Sequence, residues 1–406
     1  MTASDEAVRA AVDAAYRNEW GQVVATLIGL TRDWDLAEDC AQDAFATALA
    51  TWPRDGIPSR PGAWLTTTGR NRATDRLRRD AAGRTKLREL AVLARVPDEP
   101  PLEEIPDERL RLIFTCCHPA LSFEARIALT LRTLAGLSTA EIARAFLSAE
   151  PTMAQRLVRA KRKIAEAGIP YRVPPAELLP ERLAGVLAVL YLIFNEGYDD
   201  QAGRRALTSE AIQLARVLVR LMPTEPEPRG LLALILLHEA RRATRTDDGE
   251  LVTLENQDRS RWDRALIAEG VDVLDQALVM GRSGPYQVQA AIAACHATAP
   301  DTASTDWPQI AALYAELERL APSPVVELNR AVAVAMSDGI PAGLALVDEL
   351  AASGRLDRYH LLPATRADLL RREGRTAEAK TAYDEALQLA PTEVERRYLI
   401  GRLREL

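Results

Sequence analysis

The chain has 406 residues, 48% of them hydrophobic and 27% charged, with a formal net charge of −7. This is an ordinary globular balance, long enough for several domains of about 150 residues. The four cysteines are spread along the chain without a C-x-x-C pair, so neither a disulfide framework nor a zinc site is suggested, and reduced thiols are expected. The first twenty residues lack the apolar core of a signal peptide, and the longest apolar run, Leu183 to Phe194, is too short to span a bilayer. A cytoplasmic protein without membrane association is therefore expected.

The charge is unevenly placed. Residues 1–170 carry 24 basic and 23 acidic residues, whereas residues 171–406 carry 27 and 35. Within the first part, the segment 66–88 has eight basic residues against two acidic, and the segment 151–165 has five against none. Local basic stripes, rather than net charge, mark nucleic-acid contact.

Nearly every segment reads as helix, with apolar residues at three- and four-residue spacing and no convincing strand alternation. In chain order, D-W-D-L-A-E-D-C-A-Q-D-A-F-A-T-A-L (33–49) predicts a helix with Leu36, Cys40, Phe45 and Leu49 inward. Its polar residues Asp39, Gln42 and Asp43 face out. A Pro- and Gly-rich loop follows, then A-W-L-T-T-T-G-R-N-R-A-T-D-R-L-R-R (63–79). There Arg70, Arg72, Arg76 and Arg79 suit phosphates and Asn71 suits a base edge. Trp64 suits either base stacking or a core position. The segment V-P-D-E-P-P-L-E-E-I-P-D-E (96–108) reads as an extended acidic linker.

A helix from Phe123 to Ala135 is stopped by Gly136, and Ser138 and Glu141 form a capping box for the next helix, T-A-E-I-A-R-A-F. After the turn L-S-A-E, Pro151 and Thr152 open a last helix. Met153, Leu157, Ala160 and Ile164 share its inward face, leaving Gln155, Arg156, Arg159, Arg162 and Lys163 outside. Two short packed helices with a free basic second helix are what a DNA-binding helix-turn-helix requires. An ordinary helical hairpin with a solvated basic face satisfies the same pattern. Cys116, Cys117 and His118 are read as packing rather than metal ligation, and no metal site is expected.

Beyond a Pro-rich break at 168–180 the chain is helical and acidic on balance. Ala367, Leu370, Gly374, Ala379, Tyr383, Ala386 and Pro391 fall at the small, large and Pro positions of a tetratricopeptide repeat. His238-Glu239 does not extend to H-E-x-x-H, since position 242 is Arg, and no Gly-rich phosphate loop occurs. No catalytic residue and no cofactor are expected.

Residues 34–79 resemble region two of sigma-70 family sigma factors. The stretch G-L-S-T-A-E-I-A-R-A-F…P-T-M-A-Q-R-L-V-R-A-K-R-K resembles region four, with Pro151 where Gly is usual and Ala154 at a position often polar. Their order around an acidic linker resembles the extracytoplasmic-function layout. Residues 180–406 resemble the tetratricopeptide-like tail of one group of these factors, through Y-L-I-F-N-E-G-Y, E-N-Q-D-R-S-R-W-D and T-D-W-P-Q-I. The resemblance implies an all-α protein with region two at 1–90, a linker at 91–108, a region-four helix-turn-helix at 109–170 and a helical repeat domain at 180–406. It further implies that Asp39, Gln42 and Asp43 dock on the β′ clamp helices of core RNA polymerase. Region four would meet the β flap. Trp64, Arg70, Asn71, Arg72, Arg76 and Arg79 would handle the downstream (−10) promoter element. Gln155, Arg156, Arg159, Arg162 and Lys163 would read the upstream (−35) element. The tail would regulate by contacting polymerase, the sigma domains or another protein. A helix-turn-helix regulator that never joins polymerase, and a helical interaction scaffold, are the rival readings.

Overall fold

The computed structural model describes residues 3–82, 108–146, 148–198, 205–247 and 250–406. These residues form eighteen α-helices, three short 3-10 turns and one two-stranded hairpin, an all-α protein as expected. The linker at 91–107 lies outside the described residues, and Glu108 already opens a helix. The chain divides into two compact units, residues 1–221 and 222–406.

In the first unit, α1 (Ala3–Thr31), α2 (Trp34–Asp55) and α3 (Pro61–Ala82) pack on one another. Asp33 caps α2 by accepting from the Asp35 and Leu36 amides, both at 3.0 Å. The buried seam of α2 runs Ala37, Glu38, Ala41, Phe45, Ala48 and Trp52, and places Cys40 and Ala44 beside it. Leu49, expected inside, is 47% exposed instead, because a 3.6-residue period carries it past the edge of that seam. Tyr16, Trp20 and Phe45 stack at ring distances of 4.9–6.0 Å between α1 and α2.

Next come α4 (Glu108–Cys116), α5 (Phe123–Thr133), α6 (Thr139–Ala145) and α7 (Glu150–Glu166). Gly136 ends α5 at φ +76°, and a Cβ there would lie 2.9 Å from the Trp20 ring. Conformation and space both require glycine at this turn. The Ser138–Glu141 capping box is present in full. Cys116 and Cys117 are buried, with sulfurs on Thr133 and Thr130 at 3.3 and 3.7 Å. Burial pushes the Cys117 thiol up to about 11 and the Cys116 thiol higher still, so both are inert.

Helices α8 (Leu179–Tyr198) and α9 (Arg205–Leu221) also belong to the first unit. Arg182 of α8 donates to the Phe114 carbonyl at 2.6 Å.

The second unit holds α10 (Glu227–Glu239), α11 (Arg264–Val279), α12 (Pro285–Thr298), α13 (Trp307–Leu320), α14 (Pro324–Asp338), α15 (Ile340–Ala352), α16 (Leu361–Arg372), α17 (Thr376–Leu389) and α18 (Glu393–Arg404). Consecutive helices pack as neighbours, so the core runs along the stack. Small residues set the spacing: a Cβ on Gly343 would collide with Ala335 across α14 and α15. In the last pair, Ala367, Leu370, Ala379, Tyr383 and Ala386 are buried at the expected repeat positions. Gly374 makes the turn between α16 and α17 at φ +79°. No described helix is long and apolar enough to cross a membrane.

Candidate nucleic-acid interface

Helices α6 and α7 pack on α5. On α7, Met153, Leu157, Ala160 and Ile164 are buried, which fixes the opposite face toward solvent. Gln155, Arg159, Arg162 and Lys163 are exposed there, and Arg156 is half-buried at the edge. Arg162 meets Glu166 at 2.6 Å in full solvent, a weak pairing that a phosphate can displace. Val158, not singled out from the sequence, is 64% exposed on this face. An exposed valine between Gln155 and Arg159 suits contact with a thymine methyl group. Helical spacing from Gln155 and Arg162 could have found it.

Lys161 departs from its neighbours. Its Nζ lies 2.8 Å from both Glu38 Oε1 and Asp35 Oδ1, and its side chain is 15% exposed. Arg132 of α5 reaches the same carboxylate, Nη2 to Glu38 Oε2 at 3.0 Å and Nε at 3.1 Å. Arg132 Nη1 also donates to the Leu137 carbonyl at 3.2 Å, in the turn before α6. Tyr16 Oη donates to the Gly136 carbonyl at 2.8 Å, and Tyr171 Oη to the Ala25 carbonyl at 2.7 Å. Within the first unit, then, the helix-turn-helix is bolted to α1 and α2 by a buried ion cluster and two tyrosines. Glu38 was missed in the sequence, although its spacing to Ala41, Phe45, Ala48 and Trp52 puts it on the buried seam.

The second basic stripe lies on α3. Arg70 is half-buried, and Asn71 is exposed. Arg72 donates to Thr47 Oγ1 at 2.7 Å and lies 3.5 Å from Asp43. Arg76 bridges Asp43 at 2.8 Å and Asp39 at 3.4 Å. Arg79 donates to the Asp75 carbonyl at 3.2 Å. Two residue sets that sequence reasoning assigned separately, Asp39–Asp43 and Arg72–Arg76, therefore meet as one mixed-charge surface. Gln42 stays exposed beside it. Trp64 is half-buried, edge-on to the buried Trp52 at 5.5 Å, so it serves the core with one side and keeps another open. Among the described residues no cluster of His, Cys, Asp and Glu is arranged to hold a metal.

Comparison with known proteins assigns these pieces. The family model of Sigma-70 region 2 matches residues 16–83. That of Sigma-70, region 4, matches residues 111–164. A family of unknown function (DUF6596) matches residues 182–278. The chain is 44% identical over 407 residues to an uncharacterized protein of Rhizobium meliloti (strain 1021), covering 97% of this chain and 96% of that protein.

Proposed function

Since the chain belongs to the sigma-70 family of RNA polymerase sigma factors, in the extracytoplasmic-function layout with a C-terminal extension, we propose that it joins core polymerase in the cytoplasm through Asp39, Gln42 and Asp43 on the β′ clamp helices, with region four on the β flap. Trp64, Arg70, Asn71, Arg72, Arg76 and Arg79 open and hold the downstream element. Gln155, Val158 and Arg159 read upstream base edges, while Arg156, Arg162 and Lys163 hold phosphates. Bond-making stays with the polymerase. The observation that carries this reading is α7, with one face buried and an unobstructed Gln, Val and Arg face opposite. Pull-down with purified core polymerase, followed by run-off transcription on genomic fragments, tests it. DNA binding without polymerase binding would replace it with a free-standing regulator.

Two expected results refine the assignment. Arg159→Ala should cost about 1–3 kcal/mol of discrimination at its base position, read by competition between matched and scrambled upstream elements. Lys163→Ala should weaken all sequences alike and lower the salt slope by about 1. Equal losses on both DNAs for Arg159→Ala would remove its base-reading role.

Regulation resides in the extension. Removal of residues 222–406 leaves α8 and α9 in place and should change run-off output at equal protein concentration. Removal of residues 180–406 should also destabilise region four, since it strips Arg182 and α8 from α4 and α5. Unchanged output from the shorter deletion would sink a regulatory role.

A further inference from the structure

The second unit contains a cavity of about 310 Å³ that the sigma reading leaves unused. It lies within the range of sites for small organic ligands, roughly 300–1,000 Å³. Its lining includes the aromatic and apolar side chains of Trp307, Tyr314, Val332 and Met336. Arg259 lines the cavity too, although it is only 8% exposed. Its Nη1 donates to the carbonyls of His296 and Ala299 at 2.7 and 2.8 Å. Its Nη2 reaches Thr305 Oγ1 only at 3.4 Å.

Among the described residues, no carboxylate lies within ion-pair distance of this guanidinium. Glu255, also at the cavity, is held by Arg372 at 2.6 Å. Asp301 acts on Arg259 only through space, and its carboxylate is spent on the Ser304 amide at 2.8 Å. A buried charge without a counter-charge is costly, and a bound anion removes that cost. Arginines also bear on the two histidines nearby. Burial, then Arg241 and Arg259, push His296 at the cavity wall down to about 4. Burial, then Arg241 and Arg245, push the neighbouring His238 well down. Both imidazoles are neutral at pH 7, so neither supplies charge. Glu255 and Asp368 also line the cavity, and both carboxylates are paired with Arg372, which leaves a single guanidinium, that of Arg259, to meet a single carboxylate.

We propose that this cavity binds a small organic monocarboxylate with an aromatic or branched apolar body, its carboxylate on Arg259 and its body against Trp307, Tyr314 and Val332. The exposed Asn329 amide at the rim is placed for a second polar group. The binding itself does not depend on the transcriptional reading. A ligand-controlled sigma factor would follow from both.

The test is calorimetric titration of the full chain, without polymerase or DNA, using 3-phenylpropionate and 4-methylpentanoate with their neutral amides. The acids should bind saturably, and the amides at least about ten-fold more weakly. Arg259→Gln should remove the preference for the acid. Because Arg259 also ties two carbonyls, Val332→Trp is the second variant. It fills the cavity while keeping the Arg259 side chain, and should abolish binding in a chain that still unfolds cooperatively. Equal binding of acid and amide, no binding of either acid up to about 10 mM, or full binding by folded Val332→Trp would each overturn the proposal. None of these outcomes bears on polymerase binding, which the pull-down decides.

Discussion

Arg132→Ala is expected to destabilise the helix-turn-helix by about 3 kcal/mol, the low end of the cost of breaking a buried ion pair. Glu38 is 5% exposed and has Arg132 and Lys161 as its cationic partners. Removing Arg132 strands half of that compensation in a site where water cannot replace it. Lys161 remains at 2.8 Å and keeps the loss from reaching the upper end. The substitution also frees the Leu137 carbonyl, so the turn that positions α6 loosens with it. Hydrogen exchange of peptides spanning 123–166 reads the effect locally, which suits a chain of two units better than one global transition. The pair Glu38→Gln with Arg132→Met should recover most of the loss, because no uncompensated charge is then buried. A loss below about 1 kcal/mol would mean that Lys161 alone satisfies Glu38.

What the sequence discloses follows from which forces are local. The four inward residues of α7 and the Ser138–Glu141 box depend only on helical period and capping, and both are where the sequence puts them. Leu49 lies outside, against expectation, and Glu38, to which the sequence reading gives no place, lies inside. The alanine-rich seam of α2 decides the inward face, and a charged residue on that seam must be buried with partners. Those partners, Arg132 and Lys161, lie 94 and 123 positions further along, where no period reaches. The same holds for Arg72 and Arg76 meeting Asp39 and Asp43. Each stripe is legible alone, and their mutual neutralisation depends on how α2 and α3 cross. Arg259 could be seen only as part of a charged run. Its lack of a carboxylate partner is a tertiary fact.

The second large effect is a pH dependence centred on Glu210 of α9. Its carboxyl is raised to about 7, first by burial and then by the nearby Glu141, with Arg17 opposing. Glu141 does not share the proton, because the Ser138 hydroxyl and amide hold its own carboxyl low. A carboxyl raised in the folded state favours the protonated form there. Its stabilising contribution is fully present below the unfolded value near 4.5, and is lost as pH rises through about 7. The span between those values corresponds to up to about 3 kcal/mol. Glu210→Gln should therefore stabilise the first unit by up to about 3 kcal/mol at pH 8, and change little at pH 4. Thermal melts of both chains from pH 4 to pH 8 would show the curves diverging upward through pH 5 to 7. Parallel curves would mean that Glu210 is solvated as a carboxylate. The consequence reaches the DNA-reading element, because Glu141 caps α6. A rise in pH that ionises Glu210 sets its carboxylate against that of Glu141 in the helix-turn-helix. Region four should then exchange amide hydrogens faster at pH 8 than the change in intrinsic exchange rate accounts for, and Glu210→Gln should abolish that excess.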